Sequence, residues 1–463
     1  MKNVIFLIFL LFNPQSILSA TSSYDYSSYS ATSVNTNLSG KTITNSNSGE
    51  SAVYITSSGI TIESTSITKT GAISSSNTED SEFYGVNAAV LVNGGGLTMT
   101  GGTITTDAKG ANAVVATNSG SVTISGTTIS STGTASARGL HATYGGTIKA
   151  TSVVISSTGG SCATLATDRG EGTVSCTSCT LSTAGSGSPL IYSTGDITVS
   201  GTTGTSSAAQ AVVVEGKNSA TIQDSSNLKC SASPNNKNDQ CGVLIYQSMS
   251  GDADSGTSSF TCDSSTIEIL SSGGYYDTAP MFFVTNTDAN IKLTDCTFTY
   301  GSGTFIKIEE GDWGTSGSNG GTVTLTLNNQ EIEGDIIVGS TSSLTLTLVN
   351  SSIKGTINAD KSAAKLAIVL DSDSTITLTG NSYYTSLSND DSDNSNIEKG
   401  SYTFSSYDES ESSSSNSGST TKTTTNNNND EDDDDINAIS VDYSSYLKSY
   451  WQIFIMSLFL ILI

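Results

Sequence analysis

The chain has few of the residues on which most enzymes and nucleic-acid binders depend. Its 463 residues include one histidine, two tryptophans and four prolines, and the only arginines are Arg138 and Arg169. Lys and Arg number 18 against 43 Asp and Glu, a formal charge of −25. Phosphate binding draws on clustered cations, so this balance excludes nucleic acid as a partner. The lone histidine, His141, cannot build a His/Cys zinc site, and no G-x-S-x-G elbow supports a Ser-His-Asp arrangement around it. It lies in a Leu140-His-Ala strand and reads as structural, either satisfied or outward-facing. No apolar run reaches the ~20 residues that span a bilayer.

The apolar fraction is also low, 35%, but it is not scattered. Ser, Thr, Asn and 45 glycines separate short β-branched runs that alternate with period two, which is a strand signal. The runs repeat. One unit reads AVYITSSGITIESTSI at Ala52–Ile67, AVLVNGGGLTMTGGTI at Ala89–Ile104 and AVVATNSGSVTISGTTI at Ala113–Ile129. Equivalent positions at Val90, Val114, Leu140, Thr164, Leu190 and Val212 step by 24, 26, 24, 26 and 22 residues. Longer steps, Val53 to Val90, Val212 to Val243 and Val243 to Phe282, mark inserted loops. A period in the low to mid twenties fits one coil of a parallel β-helix, whose coils bury Val and Ile only by stacking. Leucine-rich repeats would show a Leu pattern and an Asn ladder, and WD40 blades are ~40–45 residues long.

The expected architecture is therefore all-β, a single-stranded parallel β-helix (right-handed by the family resemblance given below) followed by a disordered C-terminal stalk. Residues 1–20 read as a secretory signal peptide: Lys2, an apolar stretch Val4 to Phe12, then Ser19-Ala20. A polar segment or cap covers 21–47 and repeats cover 48–319. From about Gly320 longer strands appear, such as TVTLTLN at Thr322–Asn328, and the β-helix continues over 320–407. A Ser/Asn/Asp-rich stalk occupies 408–436, with an acidic run over 430–435. Residues 437–463 carry small residues, a polar spacer and about thirteen apolar residues from Trp451, the pattern of a GPI signal attached at Asn437 or Ser440. The other reading of that tail is a short membrane helix.

The segment Thr322 to Phe404, with GDIIV, SLTLTL, SIKGTIN, IVLDSDSTITLTGNSY and SNIE, resembles the C-terminal part of adhesin-like right-handed β-helix proteins of the pectin-lyase-like superfamily. The upstream repeats resemble the same group more loosely, and together they cover roughly residues 48 to 407. The resemblance implies a surface adhesin or polysaccharide-binding protein; some superfamily relatives are polysaccharide lyases or hydrolases.

Residues for that chemistry are scarce. Glycoside hydrolysis needs paired carboxylates at a set separation, and the N-T-D, D-D and G-H-G signatures of polygalacturonase-like enzymes are missing from the repeats. Neither arginine lies beside a carboxylate cluster in the sequence; Asp168 and Glu171 flank Arg169 as a surface ion pair. Asp252 and Asp254 share a loop that could bind calcium. Trp313, Tyr275, Tyr276 and the pair Tyr383-Tyr384 are the aromatics available to stack on sugar, with core or turn packing as the other reading.

Seven cysteines in a secreted chain imply disulfides. Cys230 and Cys241 bracket a polar loop that a bond between them would staple, and Cys176-Thr-Ser-Cys179 reads as structural rather than redox-active. Asn37 and Asn350 open N-glycosylation sequons. The function expected is that of a non-catalytic protein on the outer face of the plasma membrane, membrane-attached through its C-terminal anchor and meeting extracellular polysaccharide or cell-surface glycan. The alternatives are a carbohydrate-active enzyme and, from the T-x-T strings, an ice-binding protein.

Overall fold

Alternation sets each strand. Thr103–Thr106 reads TITT and runs exposed, buried, exposed, buried; Ile104 enters the interior while Thr103 and Thr105 face outward. Thr180–Thr183 (TLST) and Thr203–Ser206 (TGTS) follow the same rule. Such strands cannot bury their apolar side alone, so each pairs in parallel with the strand one coil away. Thr128 lies beside Thr103 on one side and Val154 on the other.

The computed structural model describes residues 21–408 apart from 30, 32, 75–77 and 236–238, so residues 1–20 and 409–463, with Asn437 and Ser440, lie outside the described residues. Three long parallel sheets make a β-helix solenoid. A 14-stranded long face runs from Leu38–Ser39 to Ser386–Asn389, a 10-stranded face from Thr42–Asn45 to Thr297–Thr299, and an 11-stranded face from Val53–Ile55 to Asp335–Val338. Helical structure among the described residues is one helix, Thr78–Phe83, and a 3-10 turn, Tyr26–Ser28. No helix among them is long and apolar enough to cross a membrane.

The coil period holds with one correction. Val114 and Leu140 pair with Leu165, Ile191 and Val212 in turn, so Thr164 and Leu190 are one residue out of register. The steps become 26, 25, 26 and 21. Thr164 sits in the corner before the strand, where its hydroxyl donates to Leu190 O at 2.6 Å. A one-residue slip exchanges the inner and outer sides of a strand. The first coil also starts earlier than the repeats suggest: Leu38–Ser39 and Thr42–Asn45, inside the polar segment 21–47, are already paired.

Corners between the long face and the 10-stranded face turn on one residue of positive φ. Ser64, Ser152, Ser178, Ser264 and Asp295 hold φ between 44° and 54° there, and Asn329 and Asn350, at 47° and 46°, do the same where the long face turns into a separate four-stranded sheet. The residue that follows points inward. Thr202, Ser226 and Ser265 place their hydroxyls so that each accepts the backbone N–H of the coil below: Cys179 N, Thr202 N and Ser226 N, at 3.1–3.3 Å. The buried corner amides are thus satisfied without water.

Near residue 320 the cross-section changes. The long face continues through Gly321–Asn328 and Ser343–Val349, while a separate four-stranded sheet, Glu331–Glu333 to Ile397–Glu398, appears beside it. Phe260, Phe282, Phe298 and Phe305 fill the interior just before the change, with ring centroids 5.4–5.7 Å apart.

The disulfide expectation is corrected. Bonds join Cys176 to Cys179 and Cys262 to Cys296, whereas Cys162, Cys230 and Cys241 are free thiols. Cys230 points into the solenoid core, but Cys241 packs with Val213, Leu244, Tyr246 and Phe283 on the outside of the 11-stranded face. Their thiols donate separately, to Gly242 O and to Asp239 O. Reading the sequence missed the Cys262–Cys296 pair because these cysteines lie 34 residues apart and become neighbours only through coil stacking.

Candidate functional site

The 11-stranded face differs from the other two in being buried on both sides. Val90–Asn93, Val114–Thr117 and Val243–Tyr246 are almost wholly covered. Outward-pointing Leu91 and Val115 lie under Tyr26 and Tyr29 from the N-terminal segment. The helix Thr78–Phe83 covers His141, whose Nε2 lies 2.6 Å from Glu82 O. Trp313, from the loop after Thr304–Ile308, caps Tyr246 with ring centroids 5.3 Å apart. The insertion in the Val53-to-Val90 step, the N-terminal segment and the Trp313 loop therefore form a lid over one face.

Under this lid sits a polar cluster. Arg138 Nη1 donates to Asp168 Oδ2 at 2.9 Å and lies 3.4 Å from His141 Nε2. Burial, reinforced by the Arg138 charge, pushes His141 down to about 3, so the ring is neutral. Its Nδ1 has no partner among the described residues, so the ring is neither outward-facing nor satisfied at both nitrogens. Burial also pushes the Asp168 carboxyl up to about 7, only partly offset by Arg138. Glu215 accepts from Tyr192 Oη at 2.7 Å, from Tyr246 Oη at 2.9 Å and from the Ser248 hydroxyl.

Beside the lid opens a cleft of about 730 Å³ lined by Tyr144, Arg169, Glu171, Asp196, Lys217, Asp252 and Asp254, among others. Arg169 stacks on Phe83, 3.7 Å from the ring centre, and pairs with Asp252 at 3.2 Å. Lys217 bridges Glu171 at 2.7 Å and Asp254 at 3.0 Å. Both arginines thus lie among carboxylates that the sequence holds far apart, which overturns the reading that neither does. Asp252 and Asp254, the acids considered for calcium, each face a cation, and no three His, Cys, Asp or Glu among the described residues gather as a metal set.

The 10-stranded face is open and uncharged over most of its length. Its outward residues form two files. One runs Thr44, Thr68, Thr105, Ser130, Ser156, Ser182, Thr205, and its register neighbours follow coil by coil. The other runs through Thr103, Thr128, Val154, Thr180 and Thr203. Hydroxyls repeat about 4.8 Å along a file and about 6.6 Å between files. The array ends where Lys229 pairs with Glu268 at 2.7 Å. The strings Thr98-Met-Thr and Thr322-Val-Thr, by contrast, lie on the 14-stranded long face.

The aromatics are less available than the sequence suggests. Tyr275 and Tyr276 are half-buried against the core. Trp313 is half-buried too, with its Nε1 enclosed and unpartnered. Lys361 covers the Tyr383 ring at 4.3 Å, and Tyr384 packs on Phe404 at 4.7 Å. Asn37 and Asn350 are exposed at their corners, with Asn350 Nδ2 donating to Asn329 Oδ1 at 2.7 Å.

The fold defines the class as a parallel β-helix solenoid. No protein-family model, curated protein or solved structure matches the chain.

Proposed function

We propose that the protein is a non-catalytic surface β-helix that holds extracellular polysaccharide or cell-surface glycan against its hydroxyl face. The observation that carries this reading is the pair of in-register Thr/Ser files. Polysaccharides present rows of hydroxyls, and a rigid grid of donors and acceptors meets them without ordering flexible side chains. The likeness of the repeats to adhesin-like pectin-lyase-like proteins supports the same reading. So do the signal-peptide pattern of residues 1–20 and the GPI-type pattern of residues 437–463, which fit a protein on the outer face of the plasma membrane.

The ectodomain, Thr21 to Tyr407, tests it on a glycan array and on insoluble polysaccharides. Native protein binds, and the triple variant Thr105→Lys, Thr180→Lys, Thr205→Lys loses about a hundredfold in affinity, at ~1 kcal/mol for each hydrogen-bonding group removed. Absence of binding by the native protein overturns the proposal. Thermal hysteresis of freezing without glycan binding transfers the same face to ice.

A second reading rests on the cleft. Four carboxylates, two cations and Tyr144 around one hollow are the ingredients of a lyase or hydrolase. Release of new reducing ends or unsaturated products from a polysaccharide, lost in Asp252→Asn, would favour it.

A further inference from the structure

Lys69 heads the large side chains that solvent does not reach, with 0% exposure. It closes Ser66–Lys69, and its register partner on Thr42–Asn45 is Asn45. A buried ammonium calls for a counter-ion. Lys69 forms no salt bridge among the described residues. Nζ donates instead to two backbone carbonyls, Asn47 O at 2.6 Å and Gly71 O at 2.8 Å. A neutral amine has two hydrogens to give, and both are accepted here, leaving its lone pair free. Burial lowers Lys69 to about 8, against the opposing pull of Glu50 and Asp107. The pocket is tight around the amine: a Cβ on Gly71 would lie 2.6 Å from Nζ and 2.2 Å from Asn47 O.

An electrophile and a proton carrier adjoin this amine. Asn45 is 8% exposed. Its Oδ1 accepts from Asn47 N at 2.9 Å, and Nδ2 lies 3.4 Å from Glu50 Oε2 and 3.5 Å from Ser51 O. Glu50 also accepts from Asn47 Nδ2 at 2.7 Å. The bond to Oδ1 polarises the carboxamide, and the carboxylate sits at the nitrogen that would leave. Adjacent strands are about 4.8 Å apart, within the span of a lysine stem. The buried nucleophile and the polarised amide thus face the interior on paired strands, with the half-buried Glu50 carboxylate at the rim, the groups that intramolecular acyl transfer requires.

We propose that Lys69 and Asn45 join in an intramolecular isopeptide bond with Glu50 as proton carrier. Nζ attacks Cγ of Asn45. Glu50 takes a proton from Nζ and delivers one to Nδ2. The Cγ–Nδ2 bond breaks and ammonia leaves, so the step needs no oxidant or cofactor. The product replaces a buried amine with an amide and links the first two coils covalently.

Tryptic mapping of the folded full chain decides the matter. Trypsin will fail to cut after Lys69, and a peptide spanning Thr42–Lys109 will appear lighter by one ammonia, with fragments placing the link between Asn45 and Lys69. Glu50→Gln, which keeps a hydrogen-bonding side chain and so the fold, will show the uncrosslinked mass. Normal cleavage after Lys69 in the native protein overturns the proposal. Ammonia loss that persists in Lys69→Arg also overturns it, since that loss would belong to an asparagine succinimide. Failure of glycan binding bears on neither result.

Discussion

His141 is held neutral by its surroundings, and this makes it a contributor to pH dependence. Its folded pKa, about 3, lies below the ordinary value of 6.5. The stability it contributes is present above pH 6.5 and is lost as pH falls toward 3. Asp168, raised to about 7, carries the opposite sign: its contribution is present below about pH 4 and is lost as pH rises through 7. The informative comparison is thus between native protein and His141→Gln. From pH 7 to pH 5 the melting temperature of the native protein will fall further than that of the variant. A second single-residue expectation concerns Gly146, where a Cβ would meet Ala116 O at 2.1 Å. Gly146→Ala should cost about 2–3 kcal/mol in denaturant melts. Residue types such as these announce little in one dimension. His141 reads as a strand residue, and nothing local shows that Glu82, far away in the chain, will come to cover it.

Elements were more legible than sites. The period-two alternation marks most strands of the long and 10-stranded faces because they obey one physical rule, apolar inside and hydroxyl outside. The register slip at Thr164 and Leu190 arose because a buried corner threonine next to a leucine mimics the start of a strand. Cysteine pairing failed for a related reason: sequence proximity favoured Cys230 with Cys241, but Cys230 faces the solenoid interior and Cys241 packs outside the 11-stranded face. The observed bonds differ in reach. Cys262–Cys296 joins neighbouring coils across 34 residues, while Cys176–Cys179 spans 3. Loop-closure entropy assigns about 4 kcal/mol to the first and about 1.5 kcal/mol to the second. Cys262→Ser should therefore lower the thermal midpoint clearly, and Cys176→Ser only slightly, as differential scanning calorimetry would show.

At the scale of the whole molecule, the lid separates one face of the solenoid from the other two. Long repeat steps in the sequence disclosed that insertions exist; they could not disclose that Tyr26, Tyr29, Phe83 and Trp313 gather on one side. Removing residues 21–34 would uncover Leu91 and Val115, both 0% exposed. Such a truncation should bind a hydrophobic dye and self-associate, measured by fluorescence and light scattering, while the strand signal in circular dichroism persists. Legibility thus falls with distance along the chain, because a repeat is a local rule and a lid is not.

Parallel pairing also decides how the solenoid would answer a mechanical load. Hydrogen bonds between coils run along the stacking axis, so tension along that axis pulls them in line and opens them one coil at a time rather than shearing a whole sheet. Rupture under an optical trap would appear as a sawtooth whose steps each release a coil of chain. The step across Cys262–Cys296 would be shortened until a reductant is added.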